Sequence, residues 1–337
     1  MTPWRDRVFI VAEAGVNHNG DLQTARALID AAAAAGCDAV KFQTFRAEAL
    51  ASPHARTADY QKANGAEETQ LAMLKRLELP YAAHQPLKVQ ATRAGIAFFS
   101  TAFDPASVDF LQELDIPVWK IPSGEITNYP FLVRVAGMGK PILLSTGMST
   151  SAEIQAAIDV LTSHGASLDD ICVLHCNTDY PTPLQDVNLR TMPTFGATFG
   201  TAYGYSDHTL GHTVAIAAVA LGAKVLEKHF TLDRSFPGPD HQASLEPGEL
   251  SAMVAAVREA ESALGDAIKR PSASEENNKA VARKSLIAAR PIRAGEAFSA
   301  ENIAVKRPGT GLSPMRWNQV MGKPAPRDFA PDELIEL

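Results

Sequence analysis

Tyr203-Gly204-Tyr205-Ser206-Asp207-His208, then Thr213 to Leu221, then Lys224-Val225-Leu226-Glu227-Lys228-His229-Phe230 reads as strand, amphipathic helix, strand, with each strand closing on a histidine. Outward from this unit, short β-like runs alternate with longer helical ones through the first three quarters of the chain. Strands are predicted at Val8–Ala14, Ala39–Phe45, Ala97–Phe103, Val118–Pro122, Pro141–Gly147, Ile171–Cys176, Tyr203–His208 and Lys224–Phe230. Helical segments fall at Leu22–Ala35, Ser107–Leu114, Ala152–His164, Thr213–Leu221 and Glu249–Leu264. Such alternation implies a parallel sheet, and eight units over roughly 250 residues imply a closed (β/α)8 TIM barrel. An open doubly wound sheet is the competitor, but no Gly-x-Gly-x-x-Gly follows the first strand.

The chain has 337 residues, more than one core usually holds, which predicts a large domain and a small one. The barrel is expected over 1–264, a polar linker over 265–284, and a turn-rich β domain over 285–337, punctuated by Pro291, Gly295, Pro308, Gly309, Gly311, Pro314 and Gly322. So small a domain has a thin core and is expected to dock against something larger. A hydrophobic share of 46% and a charged share of 20% fit an ordinary globular protein. The net charge of −7 argues against a nucleic-acid partner. No membrane is expected, since the most apolar run, Val214–Leu226, is broken by Gly222 and Lys224. The N-terminus lacks a signal-peptide core. Cys37, Cys172 and Cys176 are too few for a disulfide framework, so a cytoplasmic setting is expected.

Consecutive barrel strands lie about 4.8 Å apart, so side chains at their carboxyl ends can share one metal ion. His208 and His229 are therefore candidate ligands, and two imidazoles leave positions open for substrate. Two unrelated polar residues at a barrel mouth is the other reading. Buried barrel strands are usually apolar, yet Glu13, Lys41 and Lys120 lie within them and Glu125 follows one. Unpaired buried charge costs several kcal/mol, so these groups must pair with each other or bind ligands. Several charges at the carboxyl ends of different strands, beside two histidines, favour an active site. Lys41 and Lys120, with hydroxyls at Ser100, Thr101, Ser123, Ser145, Thr146 and Ser206, suit a phosphate or carboxylate. Glu13, Glu125 and Asp240 could bind sugar hydroxyls or move protons.

Other residues carry two readings each. His175 reads as a core histidine beside a small buried cysteine. Asp207 either orients a ligand or caps the next helix. His18 and Asn19 belong to a turn after the first strand, functional or merely turn-forming, and His212 reads as structural. The polar connection Arg46–Leu71, through Tyr60-Gln61-Lys62, either overhangs the barrel mouth or decorates the surface.

A series of short motifs resembles the sialic acid synthase family, from about Val8 to the C-terminus. They are Ala12-Glu13-Ala14-Gly15-Val16-Asn17-His18, Ala39-Val40-Lys41-Phe42-Gln43-Thr44, Lys120-Ile121-Pro122-Ser123-Gly124-Glu125 and Leu144-Ser145-Thr146-Gly147-Met148. They continue through His175-Cys176-Asn177-Thr178-Asp179-Tyr180-Pro181-Thr182-Pro183, Tyr205-Ser206-Asp207-His208-Thr209 and Glu227-Lys228-His229-Phe230-Thr231. The resemblance implies a TIM barrel joined to an antifreeze-like (SAF) domain, in a domain-swapped homodimer. It implies condensation of phosphoenolpyruvate with the aldehyde of an N-acyl amino sugar. It further implies a divalent metal, Mn2+ with Mg2+ or Co2+ as alternatives, on His208 and His229. Lys41, Thr101, Lys120, Ser123, Ser145, Asn177, Thr178, Tyr180 and Ser206 would serve substrate binding, with Glu13 and Asp240 toward the sugar and Glu125 at the water. Arg307, in Val305-Lys306-Arg307-Pro308-Gly309, would reach the partner subunit's acceptor. The acceptor is N-acetylmannosamine or 2,4-diacetamido-6-deoxymannose, giving N-acetylneuraminate or N,N′-diacetyllegionaminate; Tyr60-Gln61-Lys62, His175–Tyr180 and Gly238–Pro247 lean to the second. A metal-dependent hydrolase and a carbohydrate- or ice-binding protein are the rival classes.

Overall fold

A computed structural model describes residues 2–52 and 69–337 of the chain. Tyr60-Gln61-Lys62 and most of the long polar connection lie outside the described residues. The chain divides into two units, 1–265 and 266–337.

The first unit is built on eight parallel strands: β1 Phe9–Gly15, β2 Ala39–Thr44, β3 Ala97–Ala102, β4 Trp119–Ile121, β5 Ile142–Ser145, β6 Ile171–His175, β7 Ala202–Asp207 and β8 Val225–His229. Their order, β3-β2-β1-β8-β7-β6-β5-β4, is that of a (β/α)8 barrel, with β3 and β4 adjacent at the seam. Each strand matches its predicted span within a residue or two at either end. Helices Leu22–Ala34, Pro105–Glu113, Ser151–Ser163, Thr213–Ala220 and Pro247–Leu264 also fall where expected. Helices Tyr81–Arg93, Tyr129–Ala136 and Met192–Phe199 are additional. They escaped the pattern because each carries a proline, Pro86, Pro130 and Pro193 respectively. The latter two prolines sit in the first turn, where a missing N–H costs nothing.

Why the barrel closes tightly at the histidine strands is visible at Gly204 on β7. A Cβ there would lie 2.4 Å from the Val225 carbonyl oxygen and 2.8 Å from a Leu174 methyl carbon. Only glycine lets β7 and β8 approach as they do. The core beneath is aliphatic and aromatic, with Ile10, Phe42, Phe99, Trp119, Leu143 and Val173 fully buried.

In the second unit, β9 Ser285–Ala288 pairs antiparallel with β10 Ile303–Lys306, over a small core of Leu286, Ile292, Phe298, Ile303, Phe329 and Ile335. The stretch read as a polar linker holds a helix, Ala273–Ala282. Its start is a capping box, in which Ser272 and Glu275 exchange hydrogen bonds with each other's backbone. No helix among the described residues is long and apolar enough to cross a membrane.

Gly204→Ala should lower unfolding free energy by about 1–3 kcal/mol in urea titration, because the new methyl meets backbone rather than a mobile side chain. An unchanged midpoint would show that the β7–β8 spacing does not depend on this glycine.

Candidate active site

Side chains alternate along each strand, so every second residue faces the barrel interior. That rule brings Glu13, Lys41, Thr101, Lys120, Ser206, Glu227 and His229 together at the carboxyl-terminal mouth, around a cavity of about 260 Å3. Ser123, Ser145, Thr178, Tyr180, His208 and Asp240 join them from the loops and strand ends. Most of the residues predicted for the site therefore converge on one place.

The floor is a buried charge cluster. Glu13 and Lys41 are register partners, and their ion pair spans 2.7 Å. Lys41 also donates to Thr101 Oγ1 at 3.1 Å and lies 3.7 Å from Glu227. Lys120 pairs with Glu227 at 2.6 Å, and the Ser206 hydroxyl donates to the same carboxylate at 2.9 Å. Glu227 is the residue that sequence reasoning passed over. The signal was present, since Glu227 is a charge inside a strand two residues before His229.

The two carboxyls behave oppositely. Burial pushes both up, but for Glu227 the ammoniums of Lys120 and Lys41 overcome it and hold the carboxyl far below its usual range. At Glu13 burial wins over Lys41, and the charge on Glu227 adds to the rise. A proton at Glu13 leaves two ammoniums facing one carboxylate. The cluster then has a surplus positive charge for a phosphate or carboxylate. Ser145 Oγ, buried at the same mouth, has no hydrogen-bond partner among the described residues.

Above the floor stand the two histidines, ring centroids 5.4 Å apart. His208 Nδ1 donates to the Asn177 carbonyl, so in the neutral ring Nε2 carries the lone pair. The nearest donor to Nε2, Ser206 Oγ at 3.3 Å, gives its one proton to Glu227. Burial lowers the His208 ring to about 4 and His229 well below its usual value, so both are neutral at pH 7. His229 Nδ1 is buried without a hydrogen-bond partner among the described residues, 3.8 Å from Asp240 Oδ2. A neutral imidazole with an unclaimed Nε2 lone pair, beside a second buried neutral imidazole, fits a divalent metal. Among the described residues no cluster of three or more His, Cys, Asp or Glu is arranged to hold one. Tyr180 packs its ring against both imidazoles, at centroid distances of 4.2 and 5.6 Å.

Other expectations are placed elsewhere. The Asn177 side chain donates to the Asp186 carbonyl at 2.9 Å, and it is Thr178 that lines the cavity. Glu125 lies on a short turn after β4, bonded to Asn128 and outside the cavity lining. Arg307 belongs to the second unit, exposed, with Nε donating to the Ala282 carbonyl at 3.1 Å. His175 packs against Phe195 and Tyr205 and bonds to the Val187 carbonyl, as a core histidine does. Asp207 neither faces the cavity nor caps a helix. It is the register partner of Lys228, and the two pair at 2.9 Å, both 1% exposed. Asp207 also accepts from the Thr209 N–H and hydroxyl at 2.9 and 2.7 Å, while Lys228 donates to the Thr209 carbonyl. This knot ties β7 to β8 next to both histidines.

A barrel mouth with paired lysines, hydroxyls and two bare imidazoles defines an enzyme for an anionic substrate. The chain belongs to the NeuB family, whose model matches residues 28–269, and a SAF domain model matches residues 283–336. It is 49% identical over 330 residues to the N,N′-diacetyllegionaminic acid synthase of Campylobacter jejuni, covering 98% of this chain and 99% of that protein. Identity to the synthase of the same name from Legionella pneumophila is 48%, covering 93% and 89%. Among solved structures, the N-acetylneuraminic acid synthetase of Leptospira borgpetersenii in complex with citrate is similar, with TM-score 0.72, 33% identity and coverage of 81% of this chain and 90% of that one. All three are named as synthases or synthetases; neither rival class, hydrolase or binding protein, is represented among them.

Two predictions follow from the buried charges. Lys228→Met leaves Asp207 ionised without a partner and should cost about 3–5 kcal/mol in urea unfolding; Asp207→Asn/Lys228→Met should recover most of it. Burial raises the Asp240 carboxyl to about 6 from 3.8, so between those values the folded chain binds more protons than the unfolded one. This group's effect on stability therefore worsens as pH rises through that window. Asp240→Asn in chelator-treated enzyme should stabilise by roughly 3 kcal/mol near neutral pH and by little at acid pH, read from pH-dependent Tm. A gain that is constant with pH would refute the ionisation.

Proposed function

We propose that the protein condenses phosphoenolpyruvate with the open-chain aldehyde of an N-acylated amino sugar, giving a nine-carbon 2-keto-3-deoxy acid and phosphate. The observation that carries this reading is the Lys41–Glu227–Lys120 cluster directly below His208 and His229. It offers an anion site and an electrophile site in one cavity.

Lys41 and Lys120 would neutralise the phosphate and carboxylate, with Thr101, Ser123, Ser145, Thr178 and Ser206 directing hydrogen bonds at their oxygens. In the reaction the C3 carbon of phosphoenolpyruvate bonds to the aldehyde carbon. Water adds at the cationic C2 that results, and phosphate departs by C–O cleavage. A divalent metal, Mn2+ in this reading with Mg2+ or Co2+ as alternatives, would be held by His208 Nε2 and His229 Nδ1 and supplies Lewis-acid polarisation of the aldehyde oxygen when bound. Glu13, with its raised carboxyl, is better placed to hold a proton for the acceptor oxygen than Glu125, which lies outside the lining. Asp240 would accept hydrogen bonds from the acceptor, and Tyr180 would keep water off the imidazoles.

The acceptor in this reading is 2,4-diacetamido-6-deoxymannose, supported by the names of the two relatives at 49% and 48% identity. The reading includes a cytoplasmic homodimer in which the second unit lends Arg307 to its partner's acceptor. Support comes from the exposure of Arg307 and the three free, buried cysteines.

Phosphate release that requires both the amino sugar and Mn2+ is the expected result for the wild-type enzyme. His208→Ala and His229→Ala should each abolish it, and chelator-resistant turnover in either would remove the metal from the reading. For the partner contribution, Arg307→Ala and His229→Ala proteins, each inactive alone, should recover activity when mixed and re-equilibrated as dimers. No recovery would rule out action in trans.

A further inference from the structure

Past the carboxyl ends of its strands, the cavity has two unlike sides. On the β4–β7 side its lining mixes Ser123, Thr178, Tyr180 and His208, all with polar atoms, with Pro122, Met148 and Cys176. On the β1–β3 side it is apolar. Val16 follows β1, Met73, Leu74 and Leu77 come from helix Gln70–Leu77 after β2, and Phe103 follows β3. These five belong to one satellite cluster separate from the main core. Val16, Met73 and Leu77 are buried, whereas Leu74 and Phe103 are only partly buried and face the cavity. Leu74 and Phe103 pack against this cluster, Phe103 edge-on to Phe45 at 6.3 Å between ring centroids, and both still present apolar surface to a cavity whose floor is charged.

The strand order sets what this wall faces. β8, carrying His229, lies beside β1, and β1 lies beside β2. Glu13 of β1 accepts from Gln43 Nε2 of β2 at 3.2 Å, directly below the wall. In the synthase reading the aldehyde partner, reaching away from His229 over Glu13 and Gln43, would run along the apolar side. The anion in that reading rests on the Lys41–Lys120 floor, toward Ser145 and Ser206.

Resting on the synthase reading above, we infer that Leu74 and Phe103 form the specificity wall for the acceptor, receiving its methyl groups. A sugar bearing a C6 methyl and acetamido methyls places apolar carbon there. A C6 hydroxymethyl places a hydroxyl against Leu74 and Phe103, and a hydroxyl buried without a partner costs about 1–3 kcal/mol. The wall therefore selects the 6-deoxy diacetamido sugar over N-acetylmannosamine.

The test compares kcat/KM for these two sugars in wild-type enzyme, Leu74→Asn, Phe103→Tyr and the volume-matched Leu74→Met. The wild type should prefer the 6-deoxy sugar. Leu74→Asn and Phe103→Tyr should each shift the ratio toward N-acetylmannosamine by about tenfold or more, through the acceptor KM. The KM for phosphoenolpyruvate should stay constant, and Leu74→Met should keep the wild-type preference, which separates polarity from misfolding. Active variants with an unchanged ratio, or with both KM values moved together, would overturn the inference and leave the synthase reading standing. Wild-type enzyme that releases no phosphate with either sugar would overturn the reading and the inference with it.

Discussion

Two lysines and one glutamate that cannot leave each other fix the rest of this barrel's mouth. Lys120 and Glu227 sit 2.6 Å apart and Lys41 a little farther, nearly without access to water. Removing any one would strand a buried charge at a cost of several kcal/mol. The cluster is thus a registration device as well as an anion site, since it joins β2, β4 and β8 across the barrel. Ser206 is held through its bond to Glu227, and that bond uses up the only proton Ser206 could have offered His208. The bare lone pair on His208 is a consequence of where Glu227 sits.

The wall of the barrel has a second, independent charge pair on its other face. Side chains alternate, so Glu227 and His229 point in while Lys228 between them points out. The same holds for Ser206, Asp207 and His208. Each strand therefore contributes its inner residues to chemistry and its outer residue to the knot on Thr209. Strand-end histidines on short loops would otherwise swing. Here they are bracketed from inside by the charge floor and from outside by Asp207 and Lys228.

Much of this was legible in the chain. The alternation of strand and helix gave the barrel, and charges inside apolar strands gave the floor, because both follow from local patterns. Glu227 obeyed the same rule as Glu13 and was overshadowed by the histidine two residues on. What could not be read was direction in loops. Asn177 and Thr178 are neighbours, and only the Asp186 carbonyl decides that the asparagine turns away. Glu125 looked equivalent to Glu13, yet it follows its strand rather than lying within it. The role of Asp207 depended on Lys228, 21 positions later, and such register partners are not local in sequence. The helix in the supposed linker was in principle readable, since Ser272 and Glu275 carry the capping-box spacing.

The unlike sides of the cavity connect these points. A parallel barrel puts consecutive loops side by side, so a property shared by the loops after β1, β2 and β3 becomes a continuous surface. Lys120 and the hydroxyls on and after β4 to β7, with Lys41 reaching in from β2, suit the floor and that side of the mouth to an anion. Apolar side chains after β1 to β3 would make the rim above Glu13, Lys41 and Gln43 sensitive to missing or extra hydroxyls. The reaction type is then set by strand residues that are fixed by buried electrostatics and cannot drift without unfolding the barrel. The choice of acceptor, on the inference drawn above, would be set by loop residues such as Leu74, which lie outside the charge floor. A chain built this way can change its sugar without changing its chemistry.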